Sequence, residues 1–261
     1  MPAHRPEFLA DVLKKGFTET VNPFNANQRR RVELSPRAVD GIVLWSKDPR
    51  SLLEEPLCAA LRPYAFYVQY TLNGYGADIE PGVPPLTERI DTYLRLADAF
   101  GPERVRWRYD PILLTPSFGP SAHREAFGRI ARALEGHADA CTISFLDVYR
   151  RIEKAMRRLS MRPPEREEAL EIARALSETA REHGISLSTC AEPEDYAAFG
   201  IRPARCIDAE HLSRIAGHPI AAQKDKNQRP HCGCAQAVDI GSYGRCPFGC
   251  AYCYASTGRA E

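Results

Sequence analysis

The chain has 261 residues, 44% of them apolar and 26% charged, with 35 basic against 34 acidic side chains for a formal charge of +1. That length can bury a sizeable core without disulfides, and the near-zero charge gives no bulk attraction to nucleic acid or a membrane surface. No stretch approaches the roughly 18 apolar residues needed to cross a bilayer, and no signal-peptide core follows Met1-Pro2-Ala3-His4-Arg5-Pro6, so a cytoplasmic protein without a membrane partner is expected.

Along the chain, Arg29-Arg30-Arg31 is the densest basic patch and reads as a solvated strand edge or turn rather than a binding site. Gly41 to Trp45 reads as a buried strand ending in Ser46-Lys47-Asp48-Pro49. Tyr64 to Thr71 is a second, ending at Asn73-Gly74, and Val105 to Tyr109 a third, ending at Asp110-Pro111. Ala140 to Phe145 and Ile185 to Cys190 are the fourth and fifth. Helical faces lie between them: Ile90, Tyr93, Leu94, Ala97 and Phe100, then Ala126 to Leu134, then Leu170, Ala173, Leu176 and Ala180. They are closed by Gly101-Pro102, Gly136 and Gly184. A short helix is expected over Glu210 to Ile215, a polar run over Lys224 to Pro230, and one more short strand over Ala237 to Ile240.

Strand–helix–strand alternation argues for βα units and a parallel sheet. The expected fold is α/β, a TIM-like βα barrel, partial or complete. A body spans 1–207, and a C-terminal segment over 208–261 packs on the barrel mouth as part of one domain. In such a barrel the loops after the strands share one face, where active sites sit.

Nine cysteines in a cytosolic-type chain are not expected to be disulfides. Five crowd between Cys232 and Cys253, which points to metal. Cys246, Cys250 and Cys253 form a C-x3-C-x2-C run, with Tyr252 before the last. Three thiolates so spaced can take three corners of a 4Fe–4S cluster and leave one iron open to a small molecule. Cys232-Gly-Cys234, with Cys190 and Cys206, makes a second set that can hold an auxiliary cluster or zinc. Cys58 and Cys141 read as core. His231 beside Cys232 reads as a neighbour rather than a ligand.

The run Cys-Pro-Phe-Gly-Cys-Ala-Tyr-Cys-Tyr-Ala resembles the cluster signature of radical S-adenosylmethionine (SAM) enzymes, in the version seen near the spore photoproduct lyase group. More broadly, the chain resembles a bacterial family of unassigned function with a radical-SAM-like cysteine cluster at its C-terminus. The matching stretches include Asn22-Pro23-Phe24-Asn25, Trp45-Ser46-Lys47-Asp48-Pro49, Trp107-Arg108-Tyr109-Asp110-Pro111, Thr189-Cys190-Ala191-Glu192, Cys206-Ile207-Asp208 and Lys224 to Cys234. The resemblance implies a 4Fe–4S cluster on Cys246, Cys250 and Cys253, SAM on the open iron, and a ferredoxin or flavodoxin as electron donor. In radical SAM enzymes the run follows the first barrel strand; here it comes last, which implies a circularly permuted barrel with Ala237 to Ile240 in the first strand's place. Members of the resembling family also begin with a further strand, so a truncated sequence is one expectation.

Polar residues at strand ends complete the candidate site. Lys47, Arg108, Asp110 and Glu192 are the candidate catalytic side chains, and Gln69, Asn73 and Tyr252 the candidate cofactor contacts; Asp147 ends the fourth strand. Arg108 and Asp110 alternate with apolar neighbours and so share the inward face, as a structural ion pair or as a grip on a substrate carboxylate or phosphate. Lys224, Asn227 and Arg229 read equally as a loop over the mouth or a solvated linker. The leading function is a radical-SAM-like enzyme acting on an unknown small-molecule or macromolecular substrate. A zinc or iron–sulfur protein without SAM chemistry and a nucleic-acid repair or modification protein are the alternatives.

Overall fold

The computed structural model describes residues 6–22, 25–241, 244 and 246–255, with the side chains of 21, 22 and 25–28 outside the description. Pro23 and Phe24 of the Asn-Pro-Phe-Asn stretch therefore lie outside it as well. Helix α1 (Pro6–Lys15) buries Leu9, Ala10, Val12 and Leu13 on one face. The chain then turns at Gly16 (φ +75°) into an antiparallel hairpin of β1 (Phe17–Asn22) and β2 (Asn25–Glu33). The arginine triplet lies on β2. Arg29 and Arg31 stand exposed and face Glu19 and Glu33, the solvated edge expected of that charge run.

Six strands form one sheet: β3 (Ile42–Ser46), β4 (Phe66–Thr71), β5 (Val105–Ile112), β6 (Ala140–Phe145), β7 (Ser186–Thr189) and β8 (Arg202–Pro203). All pair in parallel, and their order in space is their order in the chain. Helices α2 (Leu57–Leu61), α3 (Leu86–Phe100), α4 (Pro120–Ala133), α5 (Glu153–Leu159) and α6 (Arg166–Glu182) lie in the crossovers, and α7 (Ala209–Ala216) follows β8. The sheet is thus parallel α/β, as the alternation of elements requires.

Register separates two faces. Ser46, Tyr70, Trp107, Cys141 and Leu187 form one cross-strand row. Its aromatic members pack against the helices: Tyr70 stacks on Tyr93 of α3, and Trp107 on Phe127 of α4. The adjacent row, one residue on, is Thr71, Arg108, Thr142, Ser188 and Arg202. Because side chains alternate along a strand, this polar row faces away from the helices. Parallel strands are usually apolar on both faces; here one face is polar.

The segment after β8 crosses that polar face. The Cys206 carbonyl accepts hydrogen bonds from the Tyr67 hydroxyl (2.6 Å) and from Gln69 Nε2 (2.8 Å) on β4. Asp208 then caps α7, accepting from the backbone N–H groups of Glu210 and His211, and Gly217 ends it with φ +74°. Helix α7 spans the N-terminal ends of the strands. His211 Nε2 donates to the Glu103 carbonyl (2.7 Å), and Leu212 packs on Gly41, where a Cβ would come within 2.6 Å of its Cδ2.

Two sequence expectations need correction. Strand β5 does not stop at Tyr109 but continues through Asp110-Pro111 to Ile112, with an irregularity in its pairing between Tyr109 and Ile112; a proline, lacking an N–H, is accommodated at such a break. Ala237 to Ile240 is not a strand: Val238 is exposed, Asp239 turns the chain by accepting the Gly241 N–H, and the sixth strand is β8. The C-terminal segment pairs instead through one antiparallel bridge, Lys224 to Ala235. Lys224 Nζ donates to the Pro230 carbonyl and Arg229 pairs with Asp147 at 2.6 Å, so the 224–230 run folds back against the loop after β6. Among the described residues, no helix is long and apolar enough to cross a membrane.

His123 of α4 is fully buried. Its Nε2 donates to the Leu113 carbonyl (2.8 Å), and Nδ1 accepts the Tyr109 hydroxyl (2.9 Å), so it is held neutral. Burial lowers its pKa from 6.5 to about 4. Between those values the unfolded chain binds a proton that the folded one does not. This contribution to stability is whole above pH 6.5 and is lost as pH falls towards 4, by about 3 kcal/mol in all. The melting temperature of the wild type therefore drops more steeply across that window than that of His123→Gln, as followed by calorimetry.

Candidate metal and substrate site

The cysteine run is docked on the loop after β4. The Ala251 N–H donates to the Ile79 carbonyl (2.8 Å), and the Gly82 N–H to the Phe248 carbonyl (2.9 Å). Contact there is close: a Cβ on Gly82 would lie 2.7 Å from the Pro247 oxygen and 2.8 Å from Phe248 Cα. Tyr252 enters a second small core with Tyr75, Ile79, Leu113, Leu146, Ile152 and Met161, against which Cys250 and Ala251 also pack. This core sits beyond the C-terminal ends of β4, β5 and β6, so the thiols lie on the face where the sequence placed chemistry.

Under the run lies a buried charge cluster. The Tyr252 hydroxyl donates to Glu80, whose Oε1 also takes Lys47 Nζ at 3.0 Å and Asn73 Nδ2 at 3.2 Å, and Arg89 stands 3.9 Å from Oε2. Burial alone would push the Glu80 carboxyl up. The Lys47 and Arg89 charges and the Tyr252 hydroxyl outweigh it and hold the group below the usual carboxylate range. Lys47 also stands 5.4 Å over the Tyr252 ring. Burial pushes the Cys250 thiol up to about 12, against the pull of Lys47 and with the Cys253 and Cys246 charges adding to it. Cys246 is likewise raised by burial, and Cys253 again adds. The three thiols and one lysine therefore share a single electrostatic neighbourhood.

Cys190 after β7, Cys206 after β8, Cys232 and Cys234 form a separate contact cluster bordered by Trp45, Ala191 and Ile207. Cys190 Sγ and Cys206 Sγ are 3.0 Å apart. Backbone bonds fix each arm: Cys190 N to the Ile143 carbonyl, Ala204 N to the Thr189 carbonyl and Ala235 N to the Ile207 carbonyl. Two N–H donors point at sulfur, Arg108 NH1 at Cys206 (2.8 Å) and the Ile207 amide at Cys234 (3.4 Å). Among the described residues, no group of three or more cysteine, histidine or carboxylate side chains already stands in the geometry of a metal-ion site.

Arg108 and Asp110 lie between the two cysteine groups. Arg108 NH2 meets Asp110 Oδ2 at 2.6 Å and Nε bonds both carboxylate oxygens, while Thr71 and Ser144 donate to the same carboxylate. Burial would raise Asp110, but the Arg108 charge and hydrogen bonds hold it low. Asn73 Nδ2 donates to the Asp110 carbonyl (2.8 Å), which links this pair to Glu80. Among the described residues, Gln69 Oε1 and Asn73 Oδ1 are buried acceptors without a hydrogen-bond partner, a costly condition that a ligand's donor would relieve. Gln69 also lines a cavity of about 300 Å³ on the polar face with Arg106, Thr142, Ser188, Arg205 and His211.

Of the residues singled out in the sequence, Lys47, Gln69, Asn73, Arg108, Asp110, Tyr252 and both cysteine sets fall within this region. Glu192 stands to one side. It accepts the Phe145 N–H (3.0 Å) and lines a second cavity of about 190 Å³ with Thr189, Tyr196 and His231. Burial raises its carboxyl above the usual range. Cys58 lies on α2, half-buried, and Cys141 is fully buried on β6. Sequence reasoning missed Glu80 and Arg89, since neither ends a strand nor belongs to a motif.

One family model, described as Domain of unknown function (DUF1848), matches residues 1–255. None of the curated proteins and none of the solved structures compared with the chain matches it.

The Gly82 contact is testable. A Gly82→Ala methyl meets backbone atoms that cannot rotate away, so the loop must lift, at a cost of about 1–3 kcal/mol. Limited proteolysis should then cut the variant between residues 244 and 255 at least several-fold faster than the wild type. Equal protection would mean that this docking is absent in solution.

Proposed function

The chain belongs to this DUF1848 family, and we propose that it is an iron–sulfur enzyme of radical SAM type built on a partial βα barrel. The observation that carries the proposal is the docking of the cysteine run. Tyr252 and Cys250 pack in the small second core, and the Ala251 and Gly82 backbone bonds hold the run over the C-terminal strand ends. Cys246, Cys250 and Cys253 are a donor set that suits three corners of a 4Fe–4S cluster. A 4Fe–4S cluster held by Cys246, Cys250 and Cys253 would supply one-electron reduction of SAM and, through it, radical hydrogen abstraction from a substrate.

The protein's own residues bind and orient. Tyr252, fixed by Glu80, sets the position of the run, and Lys47 beside it offers a cation to an anionic group at the mouth. Asn73 and Gln69 present free acceptor oxygens to N–H or O–H donors, in keeping with a polar cofactor or substrate. Arg108 and Asp110 stand between the two cysteine groups, and Glu192 lines the second cavity to one side. The partial barrel is supported by the sequential strand order. It is also supported by the Cys206 carbonyl, which follows β8 and accepts hydrogen bonds from Tyr67 and Gln69 of β4, four strands away in the sheet order. The electron donor would be a ferredoxin or flavodoxin, and the setting the cytoplasm.

Anaerobic reconstitution with iron and sulfide, followed by EPR of the dithionite-reduced protein, tests this reading. The expected result is a 4Fe–4S signal whose g-values shift when SAM is added, and its loss in Cys250→Ala with the fold intact by circular dichroism. A signal indifferent to SAM would remove the enzyme reading. Equal iron in Cys250→Ala would remove the site.

A further inference from the structure

The second cysteine group bears on a different question, because nothing in the radical SAM reading requires it. Its four sulfurs come from three separate segments: the end of β7, the stretch after β8, and the Cys232-Gly-Cys234 turn. Cys206, Cys232 and Cys234 are buried and Cys190 is half-buried. Cys206 Sγ lies within sulfur hydrogen-bonding reach of Cys190, and Cys232 and Cys234 belong to the same contact cluster. Four clustered thiols, three buried and one half-buried, on a face otherwise polar are more than a structural core needs there.

The Cys190–Cys206 sulfur spacing argues against a cubane centre. A tetrahedral zinc with Zn–S bonds of about 2.3 Å holds its sulfurs about 3.8 Å apart. A cubane cluster holds its cysteine sulfurs much farther apart, since irons and sulfides stand between them. At 3.0 Å, Cys190 and Cys206 are closer than the tetrahedral edge and well beyond a disulfide bond of about 2.05 Å. Opening that pair by roughly 0.8 Å, a small side-chain rotation, reaches the tetrahedral edge.

A second observation points the same way. The Arg108 guanidinium and the Ile207 amide both aim N–H groups at sulfur. A thiol is a weak acceptor, but a metal-bound thiolate is a strong one, and such outer donors orient ligands and offset their charge. We propose that Cys190, Cys206, Cys232 and Cys234 form a closed four-thiolate site for one zinc ion, distinct from the run at Cys246, Cys250 and Cys253. Binding releases four thiol protons and leaves a centre of net charge −2, which Arg108 partly offsets. The site ties the segment after β8 to the end of β7 and to the 224–235 loop, and so fixes the crossing over the polar face.

The full chain purified without chelator should carry about one zinc, measured by mass spectrometry of the metal content. Cobalt substituted for zinc should give thiolate-to-cobalt charge transfer and the intense visible bands of a tetrahedral four-sulfur site. Cys206→Ser should lower zinc at least ten-fold, whereas Cys250→Ala should leave it unchanged. Cys190→His, which keeps a ligand, should retain the metal with a shifted cobalt spectrum, so a mere folding failure is separable from loss of a ligand. Iron in this site, persisting in Cys250→Ala and lost in Cys206→Ser, would overturn the proposal. So would a Cys190–Cys206 disulfide found by mass, or a wild type that takes up neither zinc nor cobalt. None of these readouts depends on SAM, so the radical SAM reading can fail while this one stands.

Discussion

The buried guanidinium of Arg108 is the constraint on which the rest of the site depends. A charge taken out of water needs partners on every side. Arg108 finds them in the Asp110 carboxylate two residues on and in the Cys206 sulfur across the sheet. Asp110 is in turn tied to β4 through Thr71 and Asn73 and to β6 through Ser144. One strand thereby connects the two cysteine groups: sulfur on one side of Arg108, and the Glu80–Lys47–Tyr252 cluster on the far side of Asp110.

That arrangement explains why a parallel sheet carries a polar face at all. In an ordinary βα barrel the interior is filled by branched apolar side chains. The row Thr71, Arg108, Thr142 and Ser188 cannot fill that role. The chain covers it instead with the segment from Ala204 to Ala235, anchored by Tyr67 and Gln69 at the Cys206 carbonyl, and leaves a cavity between. Stability comes from the other face, where Trp107, Tyr70, Phe127 and Leu176 are almost wholly buried.

Much of the scaffold was legible because the two faces differ so sharply. Strands β3 to β7 announce themselves by aromatic and branched residues, and α3, α4 and α6 by apolar spacing and closing glycines. That Arg108 and Asp110 share one face of β5 followed from alternation alone. Where the reading failed, the cause was tertiary. Ala237 to Ile240 has strand-like residues, yet Val238 stands exposed and, among the described residues, no strand pairs with the stretch. β8 is two residues long and holds its place only by pairing with β7. The first cysteine set was visible as a motif, because its members are close in sequence. The contacts of Cys190 and Cys206 with Cys232 and Cys234 depend on the path after β8. Glu80 and Arg89 gave no local signal, since only the docked Tyr252 reveals what the carboxylate is for.

The Tyr252–Glu80 contact spans 172 residues. Translation at about 5–20 residues per second separates the two partners by roughly 10–30 s. During that interval the platform made by β4 and its following loop stands without the segment that will cover it. Its buried carboxylate must tolerate water until the cysteine run emerges. The order of synthesis therefore sets an order of assembly, in which the scaffold is made before the cysteine run that straps it, and that run meets a formed surface rather than a nascent coil.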